Sequence, residues 1–178
     1  MNMSIHVATI DPEETEQLLP QLVALFQDAI ASGAALGFLP PLSTAEASSF
    51  WRRVREGIQA GALNLFVARN EATQEVLGTV QLALAPQLNG SHRAEVAKMM
   101  VHREARRRGI GRQLLRALEA KAVELGRTTL VLDTRQGDAA EQLYQSLEYR
   151  IAGVVPEYAQ SSDGTLHSTV IYYKLLTG

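Results

Sequence analysis

RAEVAKMMVHREARRRGIGRQLL, residues 93–115, changes character twice within a few residues. Arg93 to Val101 alternates as a strand does. A short arginine-rich loop follows. From about Gly109 to Leu125 the spacing of Ile110, Leu114, Leu115, Leu118 and Ala122 is that of an amphipathic helix, closed by Gly126. Glycines at 109 and 111 let the main chain pass close to a ligand, because no Cβ stands in the way. The first turn of a helix leaves N–H groups unpaired, and the macrodipole adds partial positive charge. Together these features make a site for a diphosphate. Arg106, Arg107, Arg108 and Arg112 add full charges beside it. The spacing is neither the P-loop G-x-x-x-x-G-K-[ST] nor the dinucleotide G-x-G-x-x-G. The residues alone therefore specify a phosphate group without choosing its bearer. Three consecutive arginines also suit a solvated loop or a nucleic-acid patch. The acidic balance of the whole chain opposes nucleic acid, and the adjoining Gly-x-Gly favours phosphate.

Working outward, Ser4 to Ile10 reads as a strand. Asp11-Pro12-Glu13-Glu14 opens a helix with Asp as cap, its apolar face made by Leu18, Leu22, Leu25, Phe26, Ala29 and Ile30, and with a kink expected at Pro20. Ser32 to Pro41 (SGAALGFLPP) cannot continue that helix, yet it carries Leu36, Phe38 and Leu39. Apolar residues in a loop plug a core or line a pocket. Ser43-Thr44-Ala45-Glu46 has capping-box spacing and starts a second helix bearing Phe50, Trp51, Val54 and Ile58. Strands follow at Asn64 to Arg69 and Val76 to Ala85, with a polar loop from Pro86 to His92 before Arg93. Beyond the third helix, Thr129 to Asp133 (TLVLD) is a short apolar run suited to a buried strand. A fourth helix covers about Asp138 to Ser146. Strands near Tyr149 to Tyr158 and His167 to Leu176 are joined by Ser161-Ser162-Asp163-Gly164. No repeat or linker interrupts the chain, so residues 1–178 read as one mixed α/β domain.

The chain has 178 residues, 46% hydrophobic and 20% charged, the mix of a soluble globular protein. Its net charge of −2 gives no global field to draw it to nucleic acid or anionic lipid. It has no cysteine, which removes disulfides, thiolate zinc sites and a cysteine nucleophile. MNMSIHVATIDPEE does not read as a signal peptide, and no run approaches 18 apolar residues. A cytoplasmic location is the expectation. His6, His92, His102 and His167 lack ligand spacing, so no metal is expected, although His92 and His167 fall in or beside loops that could border a substrate.

Arg106-x-x-Gly109-x-Gly111, placed after a strand ending in Met-Met-Val, resembles the pyrophosphate loop of the GNAT superfamily of N-acetyltransferases. A second motif of that superfamily is matched downstream by Ala140, Tyr144 and Tyr149, with Gly137 standing where an Asn is usual and Glu148 where a Gly is usual. The order of elements is similar as well: strand, two helices, three strands, helix, strand, helix, two strands. The resemblance implies a central, mostly antiparallel sheet of about seven strands flanked by about four helices. It also implies acetyl-coenzyme A as co-substrate. Met99, Met100, Val101, Arg106, Arg107, Arg108, Gly109, Ile110, Gly111 and Arg112 would form its binding segment. Within the superfamily, GFLPPL, NGSHRAEVAKMMV, LGRTTLVLDT and SDGTLHSTVIYYK are similar to the tabtoxin-resistance acetyltransferases. That similarity implies a small amine of amino-acid character and a role in resistance to an antibiotic or toxin.

Moving acetyl from a thioester to an amine requires that the amine lose its proton, since an alkylammonium of pKa ~10.4 is not nucleophilic. Strict alternation puts Glu95, Ala97, Met99 and Val101 on one face of their strand, and a glutamate at this offset resembles the base of the superfamily's histone acetyltransferases. Asp133, at the end of a buried strand, is the other candidate to take the proton or bind the amine. Main-chain N–H groups near Met99 to Val101 would polarise the carbonyl, and Tyr144 would protonate the departing thiolate. No G-x-S-x-G is present, so direct transfer fits better than an acyl-enzyme. Two rivals remain beside a small-molecule acceptor. One is acetylation of a protein or peptide amine; the other is a non-catalytic domain sensing coenzyme A. Retention of Glu95 and Tyr144 disfavours the sensor, and the apolar Ala34 to Leu39 loop favours a closed pocket over an open groove. Oligomeric state is left open.

Overall fold

The computed structural model describes residues 4–176; Met1–Met3, at the head of the stretch read as lacking a signal peptide, lie outside them. Asp11 caps α1 (Pro12–Gln17) by accepting the Glu14 N–H at 2.8 Å, as its spacing predicts. The chain does not merely kink at Pro20. It breaks at Leu18 and restarts as α2 (Leu19–Ala31), with Pro20 in the first turn where no N–H is needed. Among the described residues five α-helices result rather than about four. Ser43 and Glu46 form the full capping box that starts α3 (Thr44–Gln59).

The seven strands are β1 (Ile5–Ile10), β2 (Leu63–Asn70), β3 (Val76–Leu84), β4 (Arg93–Val101), β5 (Thr129–Arg135), β6 (Arg150–Gln160) and β7 (Leu166–Leu175). They form one sheet in the order β1-β2-β3-β4-β5-β7-β6. Every neighbouring pair is antiparallel except β4 with β5. Alternate residues of β2 bury on opposite faces. Leu65 and Val67 pack with α2 and α3, whereas Phe66 and Ala68 pack with α4 (Ile110–Glu124) and α5 (Ala140–Ser146). Among the described residues no helix is long and apolar enough to cross a membrane.

Strand β4 is irregular in two places. Its parallel pairing with β5 covers only Arg93–Glu95 against Thr129–Val131, after which the strands part. Against β3, Ala97 pairs with Gln81 but Met100 pairs with Thr79, so two residues of β4 oppose the single Val80. This is a β-bulge, with Lys98 at φ 51°. The extra residue swaps the faces beyond it. Glu95 and Ala97 lie on the α2–α3 side and Met100 follows them there, buried in that core. Met99 and Val101 instead join Ala94 and Val96 on the α4 side. The expected common face of Glu95, Ala97, Met99 and Val101 is therefore incorrect, because strict alternation does not survive an inserted residue.

Candidate active site

Where β4 and β5 part, a cleft of about 540 Å³ opens, within the ordinary size of a ligand pocket. Glu95, Lys98 and Met99 reach it from β4, and Asp133 and Arg135 from β5. Tyr144 comes from α5, and Tyr158 to Gln160 from the β6–β7 hairpin. The Ala34–Leu39 loop covers one side. Phe38 pins that loop to the core, with its ring 5.1 Å from Phe26 and 5.8 Å from Phe50. Lys98 pins it to β4 by donating from Nζ to the Leu36 carbonyl at 2.7 Å.

Glu95 sits opposite Val131 in the parallel ladder, and Asp133 lies two residues further along β5, so their carboxylates line one cleft. Loss of solvent around Glu95, with the Asp133 carboxylate adding to it, raises its pKa above the ordinary glutamate value; Lys98 and Arg93 offset part of this. Glu95 stays exposed to the cleft, and the raised pKa makes its carboxylate a stronger base than an unperturbed glutamate. Asp133 is within 3.4 Å of the Thr169 hydroxyl, which also lies 3.1 Å from the Thr134 carbonyl. Tyr144 is buried against Tyr149 and Tyr172. Burial first, then the Asp138 and Asp133 carboxylates, keeps its phenol protonated far above the ordinary range. Among the described residues its hydroxyl has no hydrogen-bond partner.

The segment expected to hold a diphosphate divides into parts that do different things. His102 N–H donates to Leu77 of β3, so by alternation the main-chain groups of Met99 and Val101 face the opposite edge, which β5 has left. Arg106 is committed to the protein: Nε donates to the Val101 carbonyl at 3.1 Å and its guanidinium to Ser32 Oγ at 2.7 Å. Arg107 and Arg108 are exposed, and Arg107 (φ 62°) and Gly109 (φ 79°) are both left-handed. Such a backbone turns successive N–H groups into a concavity suited to an anion. The first main-chain bond of α4 is Gln113 N–H to Gly109 O at 3.1 Å, so the N–H groups of Ile110, Gly111 and Arg112 precede it unpaired. These open donors fit a diphosphate, and the unpartnered edge of β4 fits an extended amide-bearing chain such as a pantetheine arm.

Glu95, Asp133, Tyr144 and Met99 are thus brought together, whereas Met100 and Ile110 present buried side chains to the core and can offer only main chain. Arg112 donates to Ser146 Oγ at 2.8 Å, tying α4 to α5. Gly111 has a packing reason of its own, since a Cβ there would meet Leu143 Cδ2 at 2.8 Å. Glu148 stands at φ 65°, in the left-handed conformation that the usual glycine of that motif position would take without strain. His92 and His167 do not line the cleft. Among the described residues no group of three or more acidic or histidine side chains could hold a metal ion. Lys98 and Arg135 were missed. For Lys98 a signal existed: unbroken alternation would bury a lysine between Val96 and Met100, a misfit that marks a bulge.

The model of the acetyltransferase (GNAT) family matches residues 33–149. The L-methionine sulfoximine/L-methionine sulfone acetyltransferase of Pseudomonas paraeruginosa is 26% identical over 159 residues, 88% of this chain and 89% of its own. Among solved structures, an N-acetyltransferase from Staphylococcus aureus Mu50 superposes with a TM-score of 0.80 at 22% identity, over 98% of this chain and 99% of the other. The structure of yncA from Salmonella typhimurium with its cofactor acetyl-CoA superposes with a TM-score of 0.77 at 17% identity, over 98% and 95%. These two likenesses concern the fold.

Proposed function

This chain belongs to the acetyltransferase (GNAT) family, and from that premise we propose that it transfers acetyl from acetyl-coenzyme A to the amine of a small amino-acid-like molecule. One observation carries the reading: Glu95, Asp133 and Tyr144 converge on a cleft roofed by the apolar Ala34–Leu39 loop and continuous with the free edge of β4. The Pseudomonas relative, named for methionine sulfoximine and methionine sulfone, supports an acceptor of that size.

Acetyl-coenzyme A supplies the activated acyl group and a good leaving thiolate; the rest falls to the chain. The α4 N-terminus with Arg107 and Arg108 holds phosphate, and the outward N–H groups of β4 hold the thioester carbonyl and take up its developing charge. Glu95 accepts the amine's proton, directly or through water, and its raised pKa brings it nearer to the amine's own. Tyr144 acts on the departing sulfur as a hydrogen-bond donor rather than as a full proton source. Its phenol is held far above the ~8.5 of an ordinary thiol, so complete transfer runs uphill. Asp133 steadies the incoming ammonium.

The test is thiol release from acetyl-coenzyme A against free amino acids, amine antibiotics and peptides. Small amines bearing a nearby carboxylate should give the highest kcat/KM. Faster turnover of N-terminal or histone-like peptides would overturn the proposal.

A further inference from the structure

Three lysines occur in the chain, and two have a carboxylate partner: Lys121 lies 2.7 Å from Glu124 and Lys174 2.8 Å from Glu119. Lys98 has none among the described residues. The residue is half-buried on the cleft wall, and its ammonium donates to one neutral acceptor, the Leu36 carbonyl at 2.7 Å. An ammonium carries three N–H groups, so two directions remain for a partner in the cleft. Glu95 acts on this cation from across the cleft without forming an ion pair with it, so the free N–H groups of Lys98 are left to an anion that enters between them. The backbone holds Lys98 there at a cost, since φ 51° is a strained conformation for a residue with a Cβ.

We propose that Lys98 anchors the acceptor's carboxylate, so that an α-amino acid binds with its carboxylate on the ammonium and its amine at Glu95. This rests on the reading of the cleft as the acceptor site. Glu95 and Lys98 lie three residues apart on β4, roughly 10 Å of strand at ~3.3 Å per residue. Both side chains are long and both line the same cleft, so they converge on the two charged ends of one small zwitterion. Charges are arranged to match: Glu95 and Asp133 on the amine side, Lys98 on the carboxylate side. The Leu36 contact adds a consequence. The residue that senses the carboxylate also holds the covering loop, so an acceptor lacking that group loses its anchor without loosening the roof.

Lys98→Gln separates these roles, because the amide can still donate to the Leu36 carbonyl while the charge is gone. The assay is kcat/KM for L-methionine sulfone, its carboxamide and an N-terminal peptide, in wild type, Lys98→Gln and Arg135→Gln. Arg135 serves as the comparison because it is the cation that β5 brings to the cleft and has no ion pair among the described residues. Wild type should prefer the acid to the carboxamide. Lys98→Gln should lose ~10–100-fold on the acid, mainly in KM, as expected for a hydrogen bond to a charged group, and stay within about twofold on the carboxamide. Equal losses on both would reduce Lys98 to a loop tether. Acid preference surviving in Lys98→Gln but vanishing in Arg135→Gln would move the anchor to β5. A wild type that acetylates the peptide and neither small amine would overturn the reading of the cleft itself, and the anchor with it.

Discussion

Replacing Tyr144 with phenylalanine removes one hydroxyl and leaves the ring. That ring is buried, 5.8 Å from Tyr149 and 6.0 Å from Tyr172, so the packing it provides survives the change. The hydroxyl has no hydrogen-bond partner among the described residues, so folding loses no bond. The melting temperature of Tyr144→Phe should therefore stay close to that of wild type, since Tyr144 lines the cleft and its ring packing is kept. In the reaction, the same hydroxyl meets a thiolate as the carbon–sulfur bond breaks. A hydrogen bond to a charged group contributes about 1.5–3 kcal/mol. At 1.36 kcal/mol per tenfold, that is a fall in kcat of roughly ten- to hundredfold. The bond forms only as charge develops, so affinity for acetyl-coenzyme A should not change. The assay is steady-state thiol release with a saturating acceptor, beside direct titration of acetyl-coenzyme A and thermal melting. Full kcat in the variant would return Tyr144 to aromatic packing. A fall in kcat matched by weaker cofactor binding would place its contact in the ground state.

Reversing Arg107 and Arg108 together to glutamate should weaken acetyl-coenzyme A binding at least tenfold, an effect that shrinks with added salt. The melting temperature without ligand should not move, because both side chains are exposed; titration at two ionic strengths checks this. Arg106→Ala should instead lower the melting temperature, since its guanidinium holds Val101 and Ser32. Phe38→Ala should cost about 1–3 kcal/mol in denaturant unfolding, below the ~3–5 kcal/mol of a fully buried phenylalanine. Its kcat/KM for small acceptors should fall further than its stability loss explains, because the loop roofs the cleft.

The parts of the site fixed by local pattern were legible in the chain. Tyr144 sits on a helix with a recognisable spacing and Gly109 opens a helix after an arginine run, as expected. Asp133 was expected to end its strand, but β5 continues to Arg135 through pairing with β7, so Asp133 lies inside it. The parts fixed by an irregularity were not. One extra residue at Lys98 resets the alternation, sends Met100 into the α2–α3 core and turns Met99 toward the cleft. The pairing of Arg106 with Ser32 depends on the end of α2 passing beside the loop, a contact across 74 residues that local pattern cannot contain. Pro20 was visible as a disturbance, but whether it kinks or ends a helix was decided by the break at Leu18.

Whether Glu95 takes the proton from the acceptor amine is tested most directly by kcat/KM from pH 6 to 10 for wild type and Glu95→Gln. Gln keeps the size but cannot accept the proton. The variant should be slowest relative to wild type near neutral pH, by ~10²–10⁴-fold for loss of a general base. The gap should narrow toward pH ~10, where the amine arrives partly neutral. Stability serves as the internal control, and its sign is opposite. A folded pKa raised above the unfolded ~4.3 means that stability is lost as pH rises through the folded pKa, so removing the charge should leave the variant as stable as wild type or more so at neutral pH. A slower, equally stable variant whose deficit closes with pH is the predicted result. A rate ratio that stays flat from pH 6 to 10, or a variant that melts earlier with unchanged kcat/KM, would contradict it and pass the role to Asp133.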